Sequence, residues 1–227
     1  MFMRKEMIEQ LNQEFDIVII GGGITGAGAA RDAACRGLKV ALIEMEDLAF
    51  GTSSRSSKLV HGGLRYLENL EFSLVFEAVS ERKVLMEIAP HLVLPLGFLF
   101  PVYSSSRRSV FTVSLGMWVY DALSLFRSPK LHRKLSRSDV AKEEPFLKRD
   151  GLKGAPLYYD CSTDDARLTL ETAIDATKNG AVVVTYVQVV FGEVDEVPLC
   201  GEVIVVAHTL QRALVLSAAQ SKTAGSR

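Results

Sequence analysis

Apolar and polar positions in the first fifty residues predict a strand, a tight turn, a helix and a second strand, in that order. Residues 15–20 (FDIVII) form a nearly continuous apolar run, which is typical of a buried strand in a parallel sheet. Glycines follow at once, and residues 25–37 are rich in small side chains that suit a helix. Residues 38–44 (LKVALIE) predict the second strand. This succession within about 30 residues indicates a βαβ unit and therefore an α/β fold.

Farther along the chain, the spacing of apolar residues predicts two more helices and a strand. Residues 72–89 place apolar side chains at helical spacing, and Pro90 ends that pattern. Residues 167–180 predict a helix that stops at an Asn-Gly pair. Residues 181–190 predict one strand. Residues 127–139 are basic and rich in turn formers, which indicates a loop.

Composition and charge exclude several classes of protein. The 227 residues are 48% hydrophobic and 23% charged, which is typical of a globular protein. The net charge of −1 gives no support to nucleic acid as a partner. The apolar stretches 92–103 and 110–126 are interrupted and fall short of the ~20 apolar residues that a membrane-spanning helix needs. The chain is therefore expected to be soluble or peripheral at a membrane.

The cysteines do not form a recognisable ligand set. Cys35, Cys161 and Cys200 are odd in number and far apart, and no pair has the spacing of metal ligands. We therefore expect reduced thiols, with neither a disulfide framework nor a metal site.

The spacing Gly21-x-Gly23-x-x-Gly26 is the first pattern that indicates chemistry. It follows a predicted strand and opens a predicted helix, which is the context of a dinucleotide-binding turn. Gly21 permits the tight turn, Gly23 lets a pyrophosphate approach bare backbone, and Gly26 lets the helix pack close to the strand. The N–H groups at the start of the helix would face the phosphates.

Glu44 ends the second predicted strand and narrows the choice of cofactor. Its carboxylate can accept hydrogen bonds from adenosine ribose hydroxyls and would repel a 2′-phosphate, which argues against NADP. FAD and NAD both remain compatible with the turn. A polar loop directly after the second strand favours FAD, because a flavin extends away from the pyrophosphate.

That polar loop, GTSSRSSKLVHGGLRYLE (residues 51–68), carries the second pattern. Together with the glycine turn, it makes the chain resemble the FAD-dependent, quinone-linked (aerobic) glycerol-3-phosphate dehydrogenases, and DCSTDDARLTLE (160–171) agrees. The resemblance covers about residues 15–190. It implies a Rossmann-like FAD-binding domain with a parallel sheet, crossover helices and a β-meander. A polar helix (1–14) would precede this domain, and a divergent β-like tail (191–227) would follow it.

The resemblance also implies a reaction. The family oxidises sn-glycerol 3-phosphate to dihydroxyacetone phosphate, with a hydride passing to the flavin and electrons passing on to a quinone. The cofactor would be held by the glycine turn, the acid after it and the hydroxyl-rich loop, whose oxygens and N–H groups satisfy phosphate and ribitol without bulk. The residues carried over to FAD binding are Gly21, Gly23, Ile24, Thr25, Gly26, Glu44, Thr52, Ser53, Ser54, Ser56, Ser57, Lys58 and Leu59.

Three residues of the same loop are candidates for work on the substrate. His61 is the candidate proton acceptor, since imidazole titrates in the useful range; the alternative is a histidine that only shapes the flavin pocket. Arg65 suits bidentate recognition of the substrate phosphate, and Tyr66 adds a hydroxyl donor. The alternative for Arg65 is an ion pair on a helix surface, and the alternative for Tyr66 is a tyrosine of the core.

Two further clusters have open interpretations. Asp160, Asp164, Asp165 and Arg167 indicate helix capping and an Asp–Arg pair, with a paired acid at the substrate pocket as the alternative; a metal site has no other support. The basic cluster is a solvated loop or a surface for anionic lipid, and its members are Arg127, Lys130, Arg133, Lys134 and Arg137. The aromatic neighbours that would enter such a surface, or be core, are Phe111, Trp118, Tyr120 and Phe126.

The resemblance implies a cytoplasmic enzyme, peripheral on the cytoplasmic face of the inner membrane and a homodimer in its full-length form. The match is poor over 191–201, and the tail indicates a truncated or frameshifted reading frame. We therefore expect weak FAD binding and little dehydrogenase activity from this chain alone. The alternatives are a non-catalytic nucleotide-binding remnant and a related FAD-dependent oxidase of amines or hydroxy acids.

Overall fold

The computed structural model describes residues 4–64, 66, 69, 71–123, 129–190, 204–207 and 215–218, the last two segments by their backbone alone. The helices with described bounds are α1 (Arg4–Glu9), α2 (Ile24–Cys35), α3 (Phe72–Ile88), α4 (Val110–Leu123), α5 (Arg137–Glu143) and α6 (Asp165–Lys178). The strands are β1 (Ile17–Ile20), β2 (Val40–Ile43), β3 (Leu59–Val60), β4 (Leu94–Leu99), β5 (Val102–Tyr103), β6 (Arg133–Leu135), β7 (Leu152–Ser162), β8 (Val182–Val184), β9 (Val187–Val190), β10 (Ile204–Ala207) and β11 (Val215–Ala218).

The described residues fall into two compact units. The first unit combines those of 1–57 with those of 165–227, and the second is the continuous stretch 58–164. The chain leaves the first unit after Ser57 and returns to it at Asp165, so the second unit is an insertion in the first.

The first unit contains the βαβ arrangement that the sequence predicts. Its sheet has the order β10-β1-β2-β8, in which β1, β2 and β8 run parallel and β10 pairs antiparallel with β1. The central strand β2 is buried along its whole length, as expected for a strand covered on both faces. Alanines of α2 and α6 fill one face of the sheet, and side chains of α1 contact the other. The predicted α/β fold is confirmed.

The segment 181–190, predicted as one strand, forms two. Strand β8 pairs with β2, whereas β9 pairs antiparallel with β11. The break lies at Tyr186, whose φ of +55° is in the left-handed region. Its N–H donates to the carbonyl of Glu46, and that of Val187 donates to the carbonyl of Glu44. Tertiary hydrogen bonds therefore override a run of β-formers that has no local break in its pattern.

The second unit is built around the eleven-residue strand β7. Strand β4 pairs with it on one side, while β3 and β6 pair with it on the other, all antiparallel. The stretch 127–139 was predicted to be a loop, and its described part instead contains β6 and the start of α5. Ser136 and Asp139 cap α5 reciprocally, which is the physical reason for the helix at this point. Within the described residues, no helix combines the length and hydropathy needed to cross a membrane.

Candidate cofactor and substrate site

The glycine turn between β1 and α2 has the close packing that its spacing predicts. Gly21 has a φ of +115°, a conformation that side chains other than glycine rarely adopt. A Cβ at Gly26 would lie 2.0 Å from the carbonyl oxygen of Gly21, so any side chain there would push the helix away from the turn. The first glycine therefore allows the turn, and the third allows the helix to pack directly against it.

The N-terminus of α2 is free of the side-chain cap that most helices carry. Gly23 occupies the cap position and offers no side-chain acceptor. The N–H of Ile24 donates to Oγ of Ser53 at 2.9 Å. Ser53 belongs to a short 3₁₀ turn, Thr52–Ser54. Two separately predicted segments, the glycine turn and the hydroxyl-rich loop, thus meet at one helix end, where the N–H groups and the helix dipole favour an anion.

Glu44 braces the glycine turn from the end of β2. One carboxylate oxygen accepts the N–H of Gly22 at 2.6 Å, and the other accepts the N–H of Glu46 at 2.8 Å. Each carboxylate oxygen has two acceptor positions, so these bonds leave capacity for ribose hydroxyls. The predicted ribose contact stays a prediction, and the bracing of the turn is a role that the spacing did not reveal.

The loop before the second unit is anchored by an acid that comes more than a hundred residues later. Ser56 donates its hydroxyl to Oδ2 of Asp165 at 2.7 Å and its N–H to the same oxygen at 3.1 Å. Asp165 is the first residue of α6 and is 8% exposed. The sequence indicated Asp165 as a capping residue, but only the fold places it beside Ser56.

In the second unit, the backbone before His61 is held by β7. Leu59 pairs with Ser162 and Val60 with Cys161, and the carbonyl of Lys58 accepts the N–H of Thr163 at 2.9 Å. Lys58 itself is exposed and has a φ of +56°.

The substrate candidates of this loop are only partly described. The His61 side chain is exposed, and its ring lies edge-on to that of Tyr66, with 6.4 Å between the ring centroids. Tyr66 is half-buried. Arg65, predicted to bind the substrate phosphate, lies outside the described residues.

A buried polar cluster adjoins His61, and the sequence did not predict it. Asp160 forms an ion pair with Arg82, and both side chains are buried. Tyr120 bonds both of them, at 3.0 Å to Arg82 Nη1 and 3.2 Å to Asp160 Oδ1. The same oxygen of Asp160 accepts the N–H of Gly62 at 2.9 Å. We define Arg82, Tyr120 and Asp160 as the Arg82 cluster.

Burial is the main cause of the pKa shifts of two side chains in and beside the Arg82 cluster. It raises the pKa of the Tyr120 hydroxyl, and the charge of Asp160 raises it further. Burial also raises the pKa of the Cys161 thiol. Tyr120 and Cys161 therefore stay protonated at neutral pH, and Tyr120 acts as a hydrogen-bond donor.

Two ion pairs involve charged residues of the segment 160–171. Asp160 pairs with Arg82, and Arg167 pairs with Glu171, one turn along α6, at 2.8 Å. Spacing along a helix favours the local partner for Arg167. Among the residues that the structure describes, no group of three or more His, Cys, Asp or Glu could hold a metal ion.

Residues 16–225 match the family model of the FAD dependent oxidoreductases, and the chain belongs to this family. The fold and glycine turn described above are those of a flavin-binding α/β protein. More particularly, the chain is 48% identical over 173 residues to the aerobic glycerol-3-phosphate dehydrogenase of Staphylococcus epidermidis, a match that covers 76% of the chain and 31% of that relative. The corresponding match in Staphylococcus haemolyticus is 46% identical over 186 residues and covers 81% of the chain and 33% of the relative.

A solved structure also shows similarity to a glycerol-3-phosphate dehydrogenase. The glycerol-3-phosphate dehydrogenase of Bacillus halodurans, complexed with FAD, superimposes with a TM-score of 0.62 at 34% identity, over 85% of this chain and 31% of that one. The chain thus spans about a third of the length of the curated relatives it matches.

Proposed function

We propose that this chain binds FAD on its glycine turn and contributes to the oxidation of sn-glycerol 3-phosphate to dihydroxyacetone phosphate. The observation that best supports FAD binding is the close approach at Gly26, where the N-terminus of the helix packs against the turn and leaves no room for a side chain. The choice of substrate rests on the 48% identity to a glycerol-3-phosphate dehydrogenase.

The residues of the first unit fit the diphosphate of FAD. The N-terminus of α2, whose first N–H is bonded to Ser53, supplies further N–H groups and a positive dipole end, and Gly23 adds no side chain there. Glu44 has acceptor capacity left for the adenosine ribose after bracing the turn. The remaining cofactor ligands in this proposal are Ile24, Thr25, Thr52, Ser53, Ser54, Ser56, Ser57, Lys58 and Leu59.

When bound, FAD supplies the hydride acceptor for the secondary alcohol. The hydroxyl proton of that alcohol then needs a base, and the exposed imidazole of His61 takes it in our proposal. Arg65 and Tyr66 bind the substrate phosphate, where a guanidinium offers two parallel N–H donors. Alcohol oxidation thus requires from this chain one proton acceptor and one phosphate site.

The proposal extends to a quinone as electron acceptor, a homodimer of the whole enzyme and a peripheral position on an anionic membrane. The exposed basic residues Lys130, Lys134 and Arg137 support the last point, since cations near anionic headgroups are attracted to them. Helix α4 lies just before them in the sequence and exposes Phe111 and Trp118. Tyr120 is core, at 1% exposure, while Arg127 and Phe126 lie outside the described residues.

Titration with FAD tests the cofactor site directly. We expect wild type to quench flavin fluorescence and Gly26→Ala to bind about 10- to 100-fold more weakly, because overpacking costs roughly 1–3 kcal/mol. Gly28→Ala is the matched control: it adds the same methyl to the same helix, where no atom beyond the adjacent residues and the helix's own backbone lies within 4 Å of the new Cβ. Circular dichroism checks that both variants fold. Equal affinity of Gly26→Ala and wild type would contradict this cofactor site.

The substrate class is tested by anaerobic bleaching of the bound flavin. Glycerol 3-phosphate is expected to bleach it slowly and incompletely, in keeping with the little dehydrogenase activity expected of this chain alone, whereas glycine and lactate are not expected to bleach it. Bleaching by glycine or lactate alone would support an amine or hydroxy-acid oxidase. FAD binding without bleaching by any of the three would support the non-catalytic nucleotide-binding alternative.

A further inference from the structure

Three charged or polar side chains from three distant elements meet beside the backbone of Gly62. Arg82 comes from α3, Tyr120 from α4 and Asp160 from β7, and each is at most 3% exposed. Oδ1 of Asp160 is the acceptor they share: it accepts from Arg82, from Tyr120 and, at 2.9 Å, from the N–H of Gly62. Gly62 directly follows His61.

The glycine at this position is required by the cluster. A Cβ on Gly62 would lie 1.8 Å from the hydroxyl oxygen of Tyr120 and 2.7 Å from a methyl of Val79. The following residue, Gly63, has a φ of +74°, so the backbone turns sharply after its bond to Asp160. The Gly-Gly pair therefore allows the backbone to pack directly against the Arg82 cluster.

His61 lies between two residues that are each bonded to strand β7. On its N-terminal side, Val60 pairs with Cys161 of β7. On its C-terminal side, Gly62 bonds the side chain of Asp160, the next residue along β7. The main-chain pairing of β3 with β7 thus ends at Val60. Beyond that point, the side-chain carboxylate of Asp160 binds the backbone instead. Both neighbours of His61 are fixed, while its own side chain is exposed to solvent.

Stability alone does not account for these buried charges. Removing an arginine and an aspartate from water is costly, and apolar residues of similar volume often serve a core equally well. A hydrogen-bonded polar network does, however, restrict its groups to one geometry. Arg82 and Tyr120 both donate to Oδ1 of Asp160, the oxygen that accepts the N–H of Gly62, and they thereby hold this carboxylate against the Gly62 backbone.

We propose that Arg82, Tyr120 and Asp160 are positioning residues, which fix the backbone at Gly62 and thereby the place of the His61 imidazole. This inference rests on the proposed function, in which His61 accepts the hydroxyl proton of the substrate. The cluster acts through the main chain and has no contact with the reacting atoms in this proposal.

Amide hydrogen exchange of Gly62, followed by NMR, tests the positioning without any turnover. Asp160→Asn is expected to speed exchange at Gly62 about tenfold or more, since bonds to charged acceptors are the strong ones. Tyr120→Phe is expected to speed it less, because the ion pair remains. Asp150→Asn, which neutralises an exposed carboxylate of the same unit, is the matched control and should leave exchange unchanged.

A double variant covers the case in which Asp160→Asn does not fold. Arg82→Met with Asp160→Asn removes both charges, so no unpaired charge is left buried. Faster exchange at Gly62, with the Val60–Cys161 pair still protected, supports positioning. Equal acceleration at every amide of β7, or an unchanged rate at Gly62, overturns it.

Kinetics of the FAD-loaded protein separate this inference from the function on which it rests. If both hold, Tyr120→Phe and the double variant lower kcat at nearly constant KM, and neither lowers it further in a His61→Ala background. If His61→Ala leaves kcat unchanged, His61 is not the base, and the part of the proposed function that assigns it the proton fails. The exchange result at Gly62 still decides whether the Arg82 cluster holds this backbone.

Discussion

The hydroxyl group of Ser56 bonds the hydroxyl-rich loop to the first residue of helix α6. It donates to Asp165, an acid with only 8% of its surface exposed. A buried carboxylate needs such donors, because an ionised group without them costs far more than the bond itself contributes. The serines of this loop are thus not equivalent, although the sequence presents them as one polar run.

Ser56→Ala should lower the free energy of unfolding by about 1–2 kcal/mol, because it removes a hydrogen bond to a charged acceptor. Ser57→Ala, one residue farther on at an exposed position, should change it by less than about 0.5 kcal/mol. Urea unfolding followed by circular dichroism measures both values. Equal losses in the two variants would show that the bond to Asp165 adds no stability.

Residues differ in how far the sequence could predict their roles. The close packing at Gly26 could be predicted, because its constraint arises from a carbonyl only five residues away. The pairing of Asp160 with Arg82 was missed, since these residues lie 78 positions apart and either one alone suggests a surface charge. A signal was present only in the Gly-Gly pair, which indicates close approach but not its partner.

At the scale of elements, two helices with small side chains form the layer beside the glycine turn. Alanines of α2, among them Ala27 and Ala30, pack against Ala173 and Ala176 of α6. Small residues allow the helix backbones to approach, and Arg31 bonds Asp175 across their surface at 2.5 Å. The position of α2, and with it the proposed anion site, depends on this packing.

Ala30→Leu should destabilise the protein by about 1–3 kcal/mol and weaken FAD binding, because the larger side chain forces α2 away from α6. Ala30 is fully buried. Cys35→Leu places the same side chain on an exposed position of the same helix and should have little effect on either quantity. Thermal unfolding and FAD titration provide the comparison. If Ala30→Leu were as stable as Cys35→Leu, the helices would not be closely packed.

At the scale of the whole molecule, the net charge of −1 conceals a local excess of positive charge. The exposed cations Lys130, Lys134 and Arg137 lie in the second unit, together with an exposed apolar stripe on α4. This stripe contains Phe111, at 70% exposure, and Trp118, at 56%. A basic and aromatic surface is typical of proteins that bind anionic lipid peripherally.

We expect the protein to sediment with vesicles that contain phosphatidylglycerol and not with pure phosphatidylcholine. The bound fraction should fall with added salt, because the Debye length is only about 10 Å at 0.1 M. Lys134→Glu changes the charge at this position by two and should reduce binding roughly 30-fold, at about 1 kcal/mol per charge. Lys178→Glu, the same change on an exposed residue of the first unit, should not. Equal losses in both variants would indicate an effect of net charge alone.

The sequence by itself determined what depends on neighbours along the chain. The β1-turn-α2-β2 unit follows from apolar runs and glycine spacing, which act within about 30 residues. Helices α3 and α6 follow from the 3.6-residue period of their apolar positions. The hydroxyl-rich loop was recognisable from its order of residues, and the FAD-dependent family was confirmed by comparison.

Only the tertiary structure decided which distant groups meet. Strand β8 separates from β9 at Tyr186 because carbonyls of residues 44 and 46 bind the backbone there. Asp165 reaches Ser56, and Asp160 reaches Gly62, through a sheet and a helix that begin far downstream. Hydrogen bonds across such separations leave no periodic trace in the sequence, since each needs only one donor and one acceptor. Burial then makes those few bonds decisive, because an unbonded polar group in the core is costly.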